Sequence, residues 1–217
     1  MKRRAPDGFT LLELLLAISI LSLITGSILG GIHMGRRTWE VSRASEALDE
    51  VESALRATVG LIGKSYLVAS EPAMQTTLGA SASFRGGPDA CRFIALSEGG
   101  GQWGGLIVTE IGVDLGPEGP ALAVWTKPYR PKDGITPARA DMRKTVILTN
   151  LADVQFSFFG KQQQAPMGGL PQQGPPPAWS QVWNSQTGLP ILVSVKIAAN
   201  RMGRVLAVDA TVALRQQ

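Results

Sequence analysis

The fold is decided by the stretch GFTLLELLLAISILSLITGSILGGI, which occupies residues 8–32. From Leu14 to Ile32 it contains 19 residues without a charge, which is long enough to span a bilayer as a helix. A secretory signal peptide has a shorter apolar region followed by a small-residue cleavage site, and this stretch has neither feature. The sequence therefore predicts one membrane-spanning helix near the start of the chain.

The residues on either side of this helix bear on its orientation. The segment before it, residues 1–8, is short, basic and polar, which favours an N-terminus on the cytoplasmic side. Arg36 and Arg37 on the far side weaken that asymmetry. Since no second apolar span follows in this sequence, we expect the C-terminal part to be exported.

Glu13 is a carboxylate inside the apolar run. At mid-helix an Asp costs about 2.5–3.5 kcal/mol on insertion scales, and less near an interface, so an intramembrane charge calls for a partner. If the chain is cut after Gly8, the new α-amino group of Phe9 is available. It could belong to the same chain, where residues 9 and 13 are i and i+4, or to a neighbouring subunit. The second arrangement would make Glu13 an assembly device.

These residues resemble the N-terminal motif of type IV pilins, which the pseudopilins of type II secretion share. The shared features are a basic leader, Gly8, Phe9, Glu13 at a fixed spacing and a long apolar helix. The resemblance implies that a prepilin peptidase cleaves between Gly8 and Phe9, that the same enzyme methylates Phe9, and that Glu13 acts in assembly. The alternative is an uncleaved single-pass anchor with a stray glutamate.

Small residues recur within the apolar run at Ser22, Gly26 and Gly30, four positions apart. This spacing lets helices approach each other closely in lipid, so the three residues are candidates for helix packing. The alternative is that they are ordinary small residues of a membrane helix.

We expect the helix to continue beyond the membrane, because apolar residues mostly three or four apart extend from Trp39 to Ile62. One helix over residues 9–63 would be about 80 Å long, and its outer half would bury one stripe against a globular head. The predicted organisation is a leader at 1–8, a transmembrane half-helix at 9–32, a periplasmic half-helix at 33–63 and a β-rich head at 64–217.

The head is predicted to consist of strands rich in Val, Ile, Phe and Trp, separated by Gly and Pro clusters. The candidates are 81–85, 90–96, 105–111, 121–127, 144–149, 153–159, 189–198 and 204–214. The last two read as a hairpin that turns between residues 200 and 203. An antiparallel β head packed on a long helix gives the predicted class, α+β and pilin-like. The Gln- and Pro-rich segment 161–178 is predicted to be a flexible loop.

The composition argues against several classes of function. The single histidine, His33, lies beside the membrane segment, so histidine-based catalysis and histidine-based zinc sites are not expected in the head. Cys91 lies in an apolar run and is expected to be a buried structural thiol. Asp114, Glu118, Asp133 and Asp141 are expected in loops as solvated carboxylates, without the spacing of a calcium loop. We expect no cofactor, no metal and no enzymatic activity.

The charge balance also bears on partners. The net charge is +4, and removing Lys2, Arg3, Arg4 and Asp7 with the leader leaves 18 basic against 16 acidic residues. No broad basic face of the kind that binds nucleic acid is therefore expected.

The second half of the chain resembles the J family of minor pseudopilins from type II secretion (general secretion pathway protein J). The resemblance rests on the order of segments 121–125, 145–148 and 154–159, followed by Trp179 and Trp183 and by the apolar strand that Leu189 and Pro190 precede. By this pattern the 161–178 loop is a long insertion.

The J resemblance implies a structural subunit at the tip of a periplasmic pseudopilus. The implied partners are minor pseudopilins I and K, other pseudopilins, the inner-membrane assembly platform, the prepilin peptidase/methyltransferase and membrane lipid. The implied location is the bacterial inner membrane, with a single span and the head in the periplasm. Two alternatives stay open: a minor pilin of a type IV pilus, used in adhesion or DNA uptake, and a membrane-tethered periplasmic ligand-binding module.

Overall fold

The computed structural model describes residues 10–68, 83–97, 105–117, 119–131, 134–161, 176–185 and 188–215. The chain divides into two compact units, Met1–Glu46 and Ala47–Gln217. The described residues form one long helix followed by nine strands in two antiparallel sheets. The predicted α+β class is therefore confirmed, whereas the four-part division of the chain stays a prediction.

Helix α1 extends over Leu11–Ile62, close to the predicted 9–63. It is uninterrupted because this stretch has no proline and is rich in Leu, Ile and Ala. Its most apolar 18-residue window has a mean hydropathy of 2.2, and it is the one helix of the described residues that is long and apolar enough to cross a membrane. Every described side chain before position 47 is exposed.

The first sheet has five strands in chain order, each antiparallel to the next. They are β1 Phe84–Gly86, β2 Ala90–Leu96, β3 Leu106–Gly116, β4 Gly119–Pro128 and β5 Arg143–Leu148. The second sheet has the order β7-β6-β8-β9. Its strands are β6 Leu151–Gly160, β7 Ala178–Ser180, β8 Leu192–Arg201 and β9 Arg204–Ala213.

The hairpin predicted near residues 200–203 is confirmed. Strands β8 and β9 pair from Leu192↔Ala213 to Arg201↔Arg204 without a register shift. Met202 and Gly203 form the two-residue loop with φ angles of 51° and 73°, the left-handed values that a type I′ hairpin turn requires. In the described part of the chain β9 pairs with no second strand, so it is an edge of its sheet.

One hydrophobic core joins the outer part of α1 to both sheets. Val51, Leu55 and Ile62 of the helix belong to it, together with fully buried residues such as Phe93 of the first sheet and Val195 of the second. The predicted alternation of β6 is confirmed as well, because Val154, Phe156 and Phe158 are buried while the residues between them are partly or fully exposed. The burial of these apolar side chains is the main stabilising contribution to the head.

The apolar stripe of the helix begins later than predicted. Trp39 and Val41 are 66% and 65% exposed, and Leu48 is 39% exposed, so burial begins at Val51. The spacing of apolar residues identifies a side of a helix, but it does not say where along the axis a partner surface starts. The predicted stripe therefore extends too far toward the membrane.

Several boundaries in the head also differ from prediction. Strand β8 begins at Leu192 rather than at Leu189, because Pro190 has no N–H to donate to a ladder. Strand β7 was not predicted, since three residues at the end of a Gln- and Pro-rich segment carry too little pattern. Residues 162–175 of the predicted loop lie outside the described residues, as do residues 81 and 82 of the first strand candidate.

The predicted loop carboxylates are only partly correct. Asp114 lies in β3 rather than in a loop, and its Oδ2 accepts a hydrogen bond from Lys144 Nζ at 2.9 Å. The loop prediction for Asp114 is wrong, because β3 continues past it to Gly116. Asp141 ends a short 3₁₀ helix, Arg139–Asp141, and Glu118 and Asp133 lie outside the described residues.

Candidate assembly site at the start of the helix

The proposed cleavage junction, Gly8 and Phe9, lies outside the described residues. Cleavage between them and methylation of Phe9 therefore stay predictions. The first described residue, Thr10, stands immediately before α1, which begins at Leu11, the third residue after the proposed cut.

Thr10 and Glu13 form a reciprocal cap at this helix start. The backbone N–H and the hydroxyl of Thr10 donate to Glu13 Oε2 at 3.2 and 3.3 Å, and the Glu13 N–H donates to Thr10 Oγ1 at 3.3 Å. This is the capping-box arrangement, in which the first and fourth residues satisfy each other's backbone donors. The carboxylate also lies at the positive end of the helix dipole. Glu13 thus has a partner in its own chain, Thr10, that is not among the predicted ones.

The cap uses only one oxygen of the Glu13 carboxylate. Among the described residues no group donates to Oε1, and an ionised carboxylate can accept about four hydrogen bonds. Glu13 can therefore cap its own helix and still accept a bond from an ammonium group. The geometry leaves both predicted sources open, the α-amino group of the same chain and that of a neighbouring subunit.

The helix-packing candidates Ser22, Gly26 and Gly30 all lie exposed on α1. A Cβ added at Gly26 or Gly30 would meet nothing within 4 Å. Successive positions are rotated by about 40° around the helix, so the three form a gently winding strip open to a neighbour. Their role in helix packing stays a prediction.

The other hydroxyls of the apolar run are satisfied within the helix. Ser19, Thr25 and Ser27 donate to the carbonyl four residues earlier at 2.8, 2.8 and 2.9 Å. Such bonds reduce the cost of a hydroxyl in lipid, which suits a membrane-spanning segment.

Cys91 is 1% exposed, as predicted for a structural thiol. Burial, reinforced by the negative charge of Glu110, raises the pKa of the Cys91 thiol far above its ordinary value. The thiolate that nucleophilic chemistry needs is therefore disfavoured.

An ion-pair cluster forms around the buried carboxylate of Glu110 on the first sheet. Glu110 is 5% exposed and accepts hydrogen bonds from Arg92 and from Arg139, whose Nε lies 2.7 Å from Oε1. The Arg139 guanidinium also lies 4.1 Å from the ring centroid of Trp125. All three charges are thus used to hold the segment before β5 against the sheet.

A cleft of about 460 Å³ lies where α1 ends. Its lining includes Ser65, Tyr66, Leu96 and Arg215, and the Ser65 hydroxyl already donates to the Ile62 carbonyl. Across the described ranges no three His, Cys, Asp or Glu side chains come close enough to hold a metal ion.

A comparison with known families bears on the start of the chain. Residues 3–29 match the prokaryotic N-terminal methylation motif, and no curated protein matches the chain. The matched residues include the predicted junction at Gly8 and Phe9, the cap formed by Thr10 and Glu13, and most of the apolar run. The motif implies processing by a prepilin peptidase and assembly with other pilin-like subunits, and the apolar helix indicates single-pass anchoring. These features support a place for this chain in the type IV pilin-like superfamily.

Proposed function

We propose that this protein is a minor pseudopilin of the type II secretion system, of the J family. In this role it is a structural subunit of the tip complex that starts pseudopilus assembly, and it is not an enzyme. The span lies in the inner membrane and the head lies in the periplasm. Minor pseudopilins I and K and the inner-membrane assembly platform are its partners.

The observation that carries this proposal is the Glu13 carboxylate, which lies in an exposed apolar helix and within the matched methylation motif. A membrane anchor alone needs no charge in its apolar run, whereas subunits that pack side by side can use one to pair with an N-terminal amine. The head supports the J assignment less strongly, through the order of β4, β5 and β6 along the sequence. The burial of Cys91 supports a structural rather than a catalytic role.

The proposal is tested by mixing soluble heads. A fragment starting near Thr38 keeps every buried residue, because burial begins at Val51. Mixed with the heads of minor pseudopilins I and K, it should form a defined complex, measured as mass by light scattering. It should bind them more tightly than it binds itself. If the three heads stayed monomeric at concentrations of tens of micromolar, the J assignment would be contradicted. The prepilin assignment would not be affected.

A chromosomal deletion separates the pseudopilus from its nearest rival, a minor pilin of a type IV pilus. Deleting the gene should abolish secretion of folded proteins across the outer membrane. Surface pili, adhesion and DNA uptake should stay unchanged. The opposite pattern would favour the pilin.

A further inference from the structure

A cluster of cationic and aromatic side chains lies just past the apolar run of α1. Arg36, Trp39 and Arg43 are three and four positions apart, which places them within about 60° of one another around the helix. All three are exposed, Trp39 by 66%. Arg37 is exposed at the same height on a neighbouring face. We call these four residues the collar.

The collar stands at the height of lipid headgroups if the apolar run fills the hydrocarbon core. At 1.5 Å per residue, Arg36 lies about 6 Å and Trp39 about 10 Å beyond Ile32. The headgroup layer is about 5–8 Å thick on each side of the core. Side chains on a helix lean toward its N-terminus, so the Trp39 indole reaches back into this layer.

Arg43 extends the collar by folding back toward the membrane. Its guanidinium carbon lies 5.6 Å from the centroid of the Trp39 ring. The contact brings a charge from the next turn down to the level of Trp39. A guanidinium on a ring face keeps its N–H groups at the edge, where they can still donate to phosphate oxygens.

The arginines outnumber the acidic residues in this stretch of helix, because residues 36–43 hold three arginines and one glutamate, Glu40. In the part of the chain that the structure describes, no salt bridge includes Arg36, Arg37 or Arg43. By contrast Arg56, on the same helix, pairs with Glu52 at 2.8 Å. The collar therefore presents positive charge to whatever surrounds this turn of the helix.

We propose that the collar binds the phosphate groups of anionic phospholipids in the leaflet on the head side of the membrane. Charge complementarity and continuity with the span identify this occupant. The arginines donate bidentate hydrogen bonds to phosphate, and the indole lies at the interface. The collar would fix the depth of the helix before assembly. The inference requires the span but not the secretion role, so it goes beyond the proposed function.

The depth of Trp39 can be measured in the processed full chain, reconstituted in phosphatidylcholine bilayers containing phosphatidylglycerol. A spin label on the lipid headgroup should quench part of the tryptophan fluorescence. Trp39→Phe should remove that quenched part. The matched control is Trp179→Phe, since Trp179 is 51% exposed but lies in the head. In this control the quenched part of the fluorescence should remain, because Trp39 is still present. Equal quenching in the two variants would overturn the proposal.

Lipid selectivity tests the arginines. Native mass spectrometry should show phosphatidylglycerol bound in preference to phosphatidylcholine. An arginine near an anionic surface contributes about 1 kcal/mol, so the preference should fall by about five-fold for each arginine in Arg36→Gln/Arg43→Gln. Arg56→Gln is the control and should keep the preference. An unchanged preference in the double variant would overturn the proposal. If the double variant lost cross-links to another subunit but still bound phosphatidylglycerol, the proposal would also be overturned. The collar would then bind a protein partner.

Discussion

The Arg201 guanidinium holds the Glu50 carboxylate through two parallel hydrogen bonds, 2.8 Å from Nε to Oε2 and 2.7 Å from Nη2 to Oε1. The pair joins α1 to the end of β8, 151 positions apart in sequence. The same guanidinium donates to the Thr149 carbonyl at 2.9 Å. A side chain at the last residue of β8, just before the hairpin turn, thus fastens the helix to the second sheet.

The first prediction concerns the acid stability of this pair. Glu50→Gln should lower the free energy of unfolding by about 0.2–1 kcal/mol at neutral pH, because the glutamate side chain is 52% exposed and screened by water. The hydrogen bond from Arg201 lowers the pKa of Glu50 from 4.5. Its contribution is therefore complete above the unfolded pKa and is lost as pH falls through the folded pKa.

Urea denaturation of the head across a pH series measures this effect. Wild type and Glu50→Gln should converge at the acid end of the series. Glu52→Gln is the matched control, since Glu52 pairs with Arg56 on the exposed surface of the same helix. A gap between wild type and Glu50→Gln that persisted unchanged below pH 3 would contradict the electrostatic explanation.

The second prediction concerns Gly86 at the end of β1. A Cβ at this position would lie 2.1 Å from the Phe158 ring, which is fully buried and packs edge-on against Phe84. Gly86→Ala should therefore cost about 1–3 kcal/mol by overpacking. Thermal unfolding measures the loss. Gly188→Ala has open space around its Cβ and should change stability little. Equal effects of the two would show that the ring can move aside.

The third prediction concerns Thr109, which is 1% exposed and whose hydroxyl has no partner among the described residues. Valine has nearly the same shape without the hydroxyl, so Thr109→Val should raise the free energy of unfolding by about 1 kcal/mol. The control is Thr58→Val, because the buried Thr58 hydroxyl donates to the Ala54 carbonyl at 2.8 Å. Chemical denaturation should show a gain only at position 109. A loss at Thr109 would mean that its hydroxyl is satisfied.

The fourth prediction concerns processing. The Gly8-Phe9 junction follows a basic leader, and a peptidase site at the membrane edge leaves little room for a side chain at position 8. Gly8→Leu should therefore accumulate as full-length precursor in the membrane. N-terminal sequencing of the wild type should begin at a methylated Phe9. A mature protein that still began at Met1 or Lys2 would rule out cleavage.

The fifth prediction separates the two roles of Glu13. Glu13→Gln keeps a side chain that can complete the capping box but removes the charge, whereas Thr10→Ala weakens the cap and keeps the charge. If pairing with an amine drives assembly, Glu13→Gln should lose assembly and secretion while Thr10→Ala keeps most of both. Cleavage should survive in each, as immunoblots of precursor and mature forms would show. Normal secretion by the Glu13→Gln variant would show that assembly needs only the capping role of Glu13 and not its charge.

Periodicity in the sequence predicted the parts of the fold that local pattern determines. The uninterrupted apolar run and the alternation at Val154, Phe156 and Phe158 each reflect one repeat, helical or extended. The hairpin at Met202 and Gly203 was also predictable, because the turn lies between two apolar runs. The order of strands in two separate sheets was not, since pairing between distant segments leaves no local signal.

At the candidate site the intramembrane charge of Glu13 was predictable from its place in the apolar run, whereas its cap was not predicted. A threonine three positions before a glutamate at the start of an apolar run is the signature of a capping box, so the signal was present. The cost of a charge in lipid predicts a cationic partner such as an N-terminal amine, but it does not predict a helix cap. The ion pairs of Glu110 and Arg201 join residues far apart in sequence, and no spacing rule could have found them.

Strand β9 has a consequence for handling the isolated head. Its ten residues pair with β8 without a bulge, and the residues whose side chains are most exposed include only two charges, Arg204 and Asp209. A long, regularly paired edge strand with few charges and no proline offers its free backbone groups as a template for a foreign strand. In the absence of its partners the head is therefore expected to aggregate through β9. Replacing the exposed Ala207 with lysine would place a charge on this edge and should reduce the aggregation.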